Sequence, residues 1–208
     1  MRILGIDPGL RITGYGCLEI SAADETLIEA GAIRLGRNGP EGIVGNDADA
    51  ELRNTASVSD RLMELDRDFR AILERLRPSA VAIEAVFAHY KHPATAIVMG
   101  HARGVLLLAV RSARLTLIEL KPNEVKKSMT GFGHASKEQM QDAVQARYRL
   151  AEPPNPPDVA DAIAIAACGL DRWRLGTSGL TNAKGRGGAS RSVSRLPDHV
   201  RAQIARDE

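Results

Sequence analysis

The chain has 208 residues, of which 44% are hydrophobic and 26% are charged, and its formal net charge at pH 7 is only +2. This composition is typical of a soluble globular protein with one domain plus additional segments. The longest apolar run, residues 105–110, is far too short to span a membrane, and no signal-peptide pattern follows Met1. We therefore expect a cytoplasmic protein that is not bound to a membrane.

Basic residues concentrate at the carboxyl-terminal end of the chain. Residues 172–208 contain eight Lys and Arg but only three acids, whereas the body before them is slightly acidic. Residues 176–195 are rich in Gly, Ser and Arg and lack periodicity, which favours disorder. We therefore predict one domain over residues 1–173 and a basic, disordered tail over residues 174–208.

Three strands are predicted at the start of the chain. Apolar and alternating runs bounded by turn residues indicate them at residues 3–6, 13–20 and 26–35, and the short connections favour an antiparallel meander. Residues 36–56 are rich in Gly, Asn and Asp, and we predict that they form a flexible surface loop inserted into the domain.

Helical patterns then alternate with short apolar strands. The helices are predicted to begin near Val58, at His92, after the capping residue Ser136 and at Asp158, and the strands to occupy residues 80–83 and 115–118. Three early strands followed by this alternation predict a three-layer α/β fold, with a mixed five-stranded sheet flanked by helices.

Two acids directly follow buried strands. Asp7 ends the run at residues 3–6 and Glu84 ends the run at residues 81–83. A buried carboxylate is costly unless it is paired or bound to a metal ion, so a functional role competes here with that of an ordinary turn-starting acid. Two such strands can present both acids at one edge of a sheet.

Two further acids, Asp158 and Asp161, lie three residues apart at the start of the last predicted helix. This spacing places them on one helical face, and ordinary acidity at a helix start would explain the pair alone. However, small apolar residues surround Asp161, so the helix is predicted to pack on the sheet. If all four acids converge, their oxygen-only ligands suit Mg²⁺ or Mn²⁺, and two such ions can promote phosphodiester hydrolysis.

Five short motifs carry a resemblance to a known family, through their order and spacing from residue 1 to about 173. They are Gly5-Ile6-Asp7-Pro8-Gly9, Thr13-Gly14-Tyr15-Gly16, Ala82-Ile83-Glu84-Ala85-Val86-Phe87, Gly100-His101-Ala102-Arg103-Gly104 and Asp158-Val159-Ala160-Asp161-Ala162. Together they resemble the RuvC family of bacterial Holliday junction resolvases. The resemblance implies a ribonuclease-H-like fold and an Mg²⁺-dependent endodeoxyribonuclease that cuts two opposed strands of a four-way DNA junction symmetrically, during recombination and repair.

The resemblance also implies roles for individual residues. The family's catalytic, metal-binding carboxylates are matched by Asp7, Glu84, Asp158 and Asp161. These acids are expected to hold two Mg²⁺ ions per site, with Mn²⁺ as a substitute. The match at Asp161 is the least discriminating, because some family members carry His near this point.

DNA-binding residues follow from the same resemblance. Phe87 matches an aromatic residue that the family places against bases at the junction centre, and Lys126 and Lys137 match lysines near the scissile phosphate. Lys91 and Arg103 are candidates for phosphate contacts elsewhere. A core position for Phe87 and a solvated helix face for the two matching lysines are the competing interpretations.

The partners expected from the resemblance are a second copy of the chain and the branch-migration proteins RuvA and RuvB. The helix from His92 to Ser112 has small and apolar residues on several sides, so it is either deeply buried or shared with a partner. The family places this helix at a homodimer interface, and two-fold symmetry would let each protomer meet one strand of the junction.

Two segments depart from the family pattern. The loop at residues 36–56 is longer than expected and acidic, so we predict that it points away from DNA or is disordered. The basic tail either adds salt-sensitive affinity for DNA or only improves solubility.

Other functions stay open at this point. One is a ribonuclease-H-like nuclease that acts on structured RNA, resembling the YqgF family, and another is a non-catalytic junction-binding module with structural acids. An ATPase of the same fold is disfavoured, because it would need two phosphate loops and a larger second domain. The presence of all four carboxylates favours a nuclease.

Overall fold

The computed structural model describes residues 1–21, 24–36, 56–85 and 93–181, and for residues 93–95 and 175–181 it describes the backbone alone. Three predicted features lie outside the described residues. They are the predicted loop apart from its two end residues, the predicted DNA contacts Phe87 and Lys91, and the predicted tail from residue 182 onward. The chain divides into two compact units, Met1–Arg174 and Leu175–Glu208. The second unit is described only as the end of a helix that runs to Thr181.

The described residues form five strands and five helices. The strands are β1 (Arg2–Asp7), β2 (Ile12–Ile20), β3 (Glu25–Arg34), β4 (Ala80–Glu84) and β5 (Thr116–Leu120). The helices are α1 (Val58–Leu76), α2 (Pro93–Ser112), α3 (Pro122–Thr130), α4 (Lys137–Tyr148) and α5 (Pro157–Thr181).

Helix α3 is the one described element that the sequence patterns did not predict. Its ends carry ordinary signals, since Pro122 is its first residue and Gly131 follows it in the left-handed conformation. With only nine residues, however, it contains a single buried residue, Val125, and so no apolar repeat. Periodicity needs a longer helix to be visible.

Helix ends elsewhere follow local chemistry. Ser57 and Ser136 cap α1 and α4, each accepting the backbone N–H of the third helical residue.

Helix α5 continues to Thr181, past the predicted boundary at residue 173, so the predicted tail begins within it. A helix with the length and hydrophobicity of a membrane span is not found in the part of the chain that the structure describes.

The five strands form one mixed sheet, as predicted, and their order in it is β3-β2-β1-β4-β5. Strands β1, β2 and β3 pair antiparallel, whereas β4 runs parallel to β1 and β5 parallel to β4. Because side chains alternate along a strand, each face of the sheet has its own core. One face packs Leu4, Ile6, Val81 and Ile83 against α1 and α2, and the other packs Ile3, Ala80 and Ala82 against α5.

Candidate active site

The carboxyl ends of β1 and β4 place Asp7 and Glu84 side by side. In this parallel pair Ile6 lies opposite Ile83, so the next residues along the two strands, Asp7 and Glu84, lie beside each other. Neighbouring strands are about 4.8 Å apart. Both acids also belong to the sheet face that packs on α5, because they follow Ile3 and Ala80 at even spacing. The strand-end juxtaposition predicted from the sequence is therefore what the register produces.

A buried threonine shapes the turn that follows Asp7. The Thr13 hydroxyl donates to the carbonyl oxygen of Gly9 (2.6 Å) and accepts the N–H of the same residue (3.2 Å). Thr13 is fully buried, so water does not compete for these bonds. The turn after β1 is thus tied to β2, which fixes the direction in which the chain leaves Asp7.

Glycines let α5 lie directly on β1 and β2. A Cβ at Gly5 would be 2.2 Å from the carbonyl oxygen of Ala162, and a Cβ at Gly14 would be 2.0 Å from that of Asp158. Any side chain at these two positions would force the helix away from the sheet. Because Gly14 is the register partner of Asp7, the first turn of α5 is held beside the acid at the end of β1.

The four acids influence one another electrostatically. Burial raises the pKa of Asp7 well above its usual range, and the negative charges of Asp161, Glu84 and Asp158 raise it further. Like charges shift a pKa in this way only when they are close. Side chains from β1, β4 and α5 therefore form one anionic group at the edge of the sheet.

Burial and charge act in the same direction on two other members of the group. Burial and the charge of Asp161 raise the pKa of Glu84 to about 7. The pKa of Asp161 is also raised, by burial and by Asp158, although two lysines oppose the shift. A bound cation would stabilise the ionised form of these acids, because its positive charge would offset the cost of burying several negative charges together.

These lysines are Lys126 on α3 and Lys137 at the start of α4, the two predicted from the resemblance. Lys126 lowers the pKa of Glu84, Lys137 lowers that of Asp7, and both lower that of Asp161. The ammonium of Lys126 is also held in place, since it donates to the carbonyl oxygen of Ala135 at 2.9 Å. The fold thus brings both lysines near the acids, whereas their role toward DNA stays a prediction.

Arg103, a predicted phosphate contact, lies on α2 behind the end of β4. Its Nε donates to the backbone carbonyl of Glu84 at 3.3 Å, and its guanidinium pairs with Glu119. These bonds hold the strand end that carries Glu84. The structure therefore gives Arg103 a positioning role, and a contact between Arg103 and DNA stays a prediction.

The chemistry of the four acids fits a hard divalent cation. They offer only carboxylate oxygens, which Mg²⁺ and Mn²⁺ prefer, and among the described residues none of them forms an ion pair within 4.0 Å. Within the same residues, no three His, Cys, Asp or Glu side chains already stand in a metal-holding arrangement.

A cleft of about 510 Å³ opens beside Asp158. Its walls combine two guanidinium groups with apolar side chains: Arg11, Arg61, Leu10, Val98 and Met99. Sequence reasoning missed both arginines as site residues, because isolated arginines form no periodic pattern. Their proximity to an acid of the cluster appears only in the folded chain.

A model of the family described as "Crossover junction endodeoxyribonuclease RuvC" matches residues 3–169 of this chain. The chain belongs to the RuvC family. The RuvC protein of Synechococcus sp. (strain WH7803) is 35% identical over 169 residues, which cover 81% of this chain and 97% of the relative. The RuvC protein of Heliobacterium modesticaldum is 38% identical over 168 residues, covering 81% and 93% of the two chains.

A solved RuvC structure supports the same conclusion. The structure described as T. thermophilus RuvC in complex with Holliday junction substrate has a TM-score of 0.69 and 29% identity, and the match covers 85% of this chain and 97% of that one. The RuvC match begins in β1 and ends within α5, so it includes all four acids and both lysines. The ribonuclease-H-like fold implied by the motifs is thereby confirmed.

Proposed function

We propose that this protein resolves four-way DNA junctions by hydrolysing one phosphodiester bond in each of two opposed strands. The observation that carries the proposal is the anionic group formed by Asp7, Glu84, Asp158 and Asp161 in a chain of the RuvC family. A T. thermophilus RuvC of similar structure has been solved with a Holliday junction substrate. Recombination and repair are the processes that such an activity serves.

The proposed chemistry requires divalent cations, with two Mg²⁺ ions per site and Mn²⁺ as a substitute. The four acids would hold them, and Asp7 is central because the charges of the other three all act on it. When bound, the ions would activate the attacking water and stabilise the charge on the leaving oxygen. Lys126 and Lys137 offset part of the anionic charge and attract the scissile phosphate.

The cleft beside Asp158 provides a path for the DNA backbone next to these acids. Guanidinium groups such as those of Arg11 and Arg61 bind phosphates, and apolar walls accommodate the deoxyribose between them. Phe87, as the family resemblance implies, and Lys91, as a candidate for a phosphate contact, complete the proposed DNA contacts.

We further propose a homodimer that is formed through helix α2. Ile97 and Leu108 are 59% and 63% exposed, although both are large and apolar. They share a helical face with Gly100 and Gly104, where an added Cβ would meet no atom within 4 Å. A face of large apolar residues and glycines allows two helices to approach closely, and the resulting two-fold symmetry would match two opposed strands.

RuvA and RuvB are proposed partners by family resemblance, and the cytoplasm is the proposed location, as expected from the sequence. No described residue marks the surface that would contact these two proteins.

The test gives the purified full chain three substrates in Mg²⁺: a mobile four-way junction, a linear duplex and a structured RNA. We expect nicks at matched positions on opposed strands of the junction, and little cutting of the other two. Preferential cutting of the RNA would favour the RNA-processing alternative. Tight junction binding without cutting in Mg²⁺ or Mn²⁺ would favour the non-catalytic module.

A further inference from the structure

Phe132 is the single Phe, Tyr or Trp ring that is exposed among the described residues. It is 59% exposed, whereas the other described aromatic side chains, Tyr15, Phe69, Tyr148 and Trp173, are buried or half-buried. A lone exposed apolar side chain is common and needs no explanation by itself. The position of Phe132, in the α3–α4 loop (residues 131–136), is what distinguishes it.

Hydrogen bonds hold the α3–α4 loop in one shape. The Thr130 hydroxyl donates to the carbonyl of Lys126 (2.8 Å) and accepts the N–H of Phe132 (3.1 Å), while the N–H of Ala135 donates to the carbonyl of Phe132 (3.3 Å). Gly131 supplies the positive φ of 77° that the loop requires. The backbone on both sides of the ring is therefore fixed.

The ring itself is oriented by a neighbour. His134 lies edge-on to Phe132, with 5.7 Å between ring centroids and 66° between ring planes. An edge contact of this kind leaves a face of the phenyl ring free. A flat apolar surface is thus presented to solvent with little conformational freedom, and ordering it on binding would cost little entropy.

The loop also lies beside the candidate active site. The carbonyl oxygen of Ala135, three residues after Phe132, accepts a hydrogen bond from the ammonium of Lys126. Lys137 follows at the start of α4. Both lysines act electrostatically on the acids of the site. A phosphate drawn to these two ammonium groups would bring the adjoining nucleotide to the Phe132 ring.

We propose that Phe132 stacks on a nucleotide next to the scissile phosphate and thereby positions the strand that is cut. This subsite deepens the proposed function and rests on it. It is separate from the predicted role of Phe87 at the junction centre, because Phe132 is carried by the loop that anchors Lys126. The ligand is a base of DNA, since every base offers a flat face to an aromatic ring.

The test compares wild type with Phe132→Ala, Phe132→Tyr and the matched control Met63→Ala, which removes another exposed apolar side chain (69% exposed) on α1. Cleavage of a four-way junction is measured at substrate concentrations below and above saturation. In parallel, 2-aminopurine beside the scissile phosphate reports stacking through fluorescence quenching in Ca²⁺. We expect Phe132→Ala to weaken junction capture by about fivefold to a hundredfold and to relieve the quenching. Tyr should restore both.

The outcomes separate this proposal from the proposed function. Failure of the wild type to cut the junction would remove the proposed function. A wild type that cuts, with Phe132→Ala equal to it in cleavage and quenching, would overturn the stacking role alone. Equal loss in the Ala and Tyr variants, or in Met63→Ala, would also overturn it, since stacking predicts rescue by an aromatic ring. Thermal unfolding of each variant checks that the substitution leaves the fold intact.

Discussion

At Asp7, burial and three neighbouring carboxylates all oppose ionisation, and Lys137 partly offsets them. A side chain in such surroundings lowers the stability of the folded chain when it is ionised without a cation. An uncharged residue at this position would remove that cost. The presence of an acid where it destabilises the fold is explained most simply by a function that needs its charge.

The first prediction follows from that conflict. Asp7→Asn should bind a four-way junction about as tightly as wild type but cut it at least about a hundredfold more slowly in Mg²⁺, because one donor of the proposed metal site is lost. In a chelator, the same variant should unfold at a higher temperature than wild type. Gel-shift, cleavage and thermal unfolding assays check the three statements.

Asp142→Asn is the matched control, since Asp142 is an exposed acid on α4. It should leave cleavage and unfolding temperature unchanged. Undiminished cutting by Asp7→Asn would end the assignment of Asp7 as the central metal ligand.

The second prediction concerns pH and Glu84. Its pKa in the folded chain is about 7, against 4.5 for the free side chain, so the folded state holds more protons between these values. The stability that Glu84 contributes is therefore fully present below about pH 4.5 and is lost as the pH rises through about 7. In a chelator, the unfolding temperature of wild type should fall by a few degrees relative to Glu84→Gln across this window, and Mg²⁺ should reduce the difference.

Glu74→Gln, an exposed change on α1, provides the comparison for the pH experiment. Its unfolding temperature should follow that of wild type throughout. A wild type that instead gains stability relative to Glu84→Gln as the pH rises would contradict a raised pKa at Glu84.

At the scale of elements, the contact between α5 and the sheet brings Asp158 and Asp161 to the strand ends. Gly14→Ala should disrupt it, because the new Cβ would lie 2.0 Å from the carbonyl oxygen of Asp158. Overpacking of this kind costs about 1–3 kcal/mol, so we expect a loss of stability in that range, together with slower cleavage. Chemical denaturation and junction cleavage measure the two effects.

Gly100→Ala is the control for the stability measurement of this third prediction, since an added Cβ there has no atom within 4 Å in the protomer; it does not control for cleavage, because Gly100 lies on the face proposed for the dimer. Within a helix, alanine is favoured over glycine by about 1 kcal/mol, so protomer stability should not fall. Equal stability of Gly14→Ala and wild type would show that α5 can move off β2 without cost.

At the scale of the whole molecule, the exposed face of α2 predicts the oligomeric state. Leu108→Glu should shift the protein from dimer to monomer without unfolding it, because Leu108 is 63% exposed in the protomer. The monomer should lose paired cutting of opposed strands. Sedimentation velocity and analysis of nick positions test this fourth prediction.

Met63→Glu introduces the same charge at an exposed apolar position on α1 and should leave the dimer intact. Should Leu108→Glu remain dimeric at the concentration used for wild type, another surface would have to form the interface.

The sequence was sufficient for much of the fold. Strand ends marked by Asp7 and Glu84 could be recognised because short apolar runs, turn residues and acids are all local signals. The α4 start was likewise visible in Ser136, whose capping chemistry involves only neighbouring residues, and the α1 start was visible in the apolar spacing that begins near Val58. Helix α3 was missed because its short length leaves no repeat, and the end of α5 was placed too early because Gly and Ser there suggested a tail.

The candidate site divides in the same way. The residue types of the four acids, and their places at strand ends and a helix start, are properties of the sequence alone. The order of the strands in the sheet depends on pairing between segments far apart in the chain, and so does the close approach of α5 to the acids at Gly5 and Gly14. The same holds for Arg11 and Arg61 beside Asp158, and for Lys126 and Lys137 near Asp161. Local chemistry determined the elements and their charged ends, whereas long-range packing decided which charges meet, because only packing sets distances between segments that no sequence spacing relates.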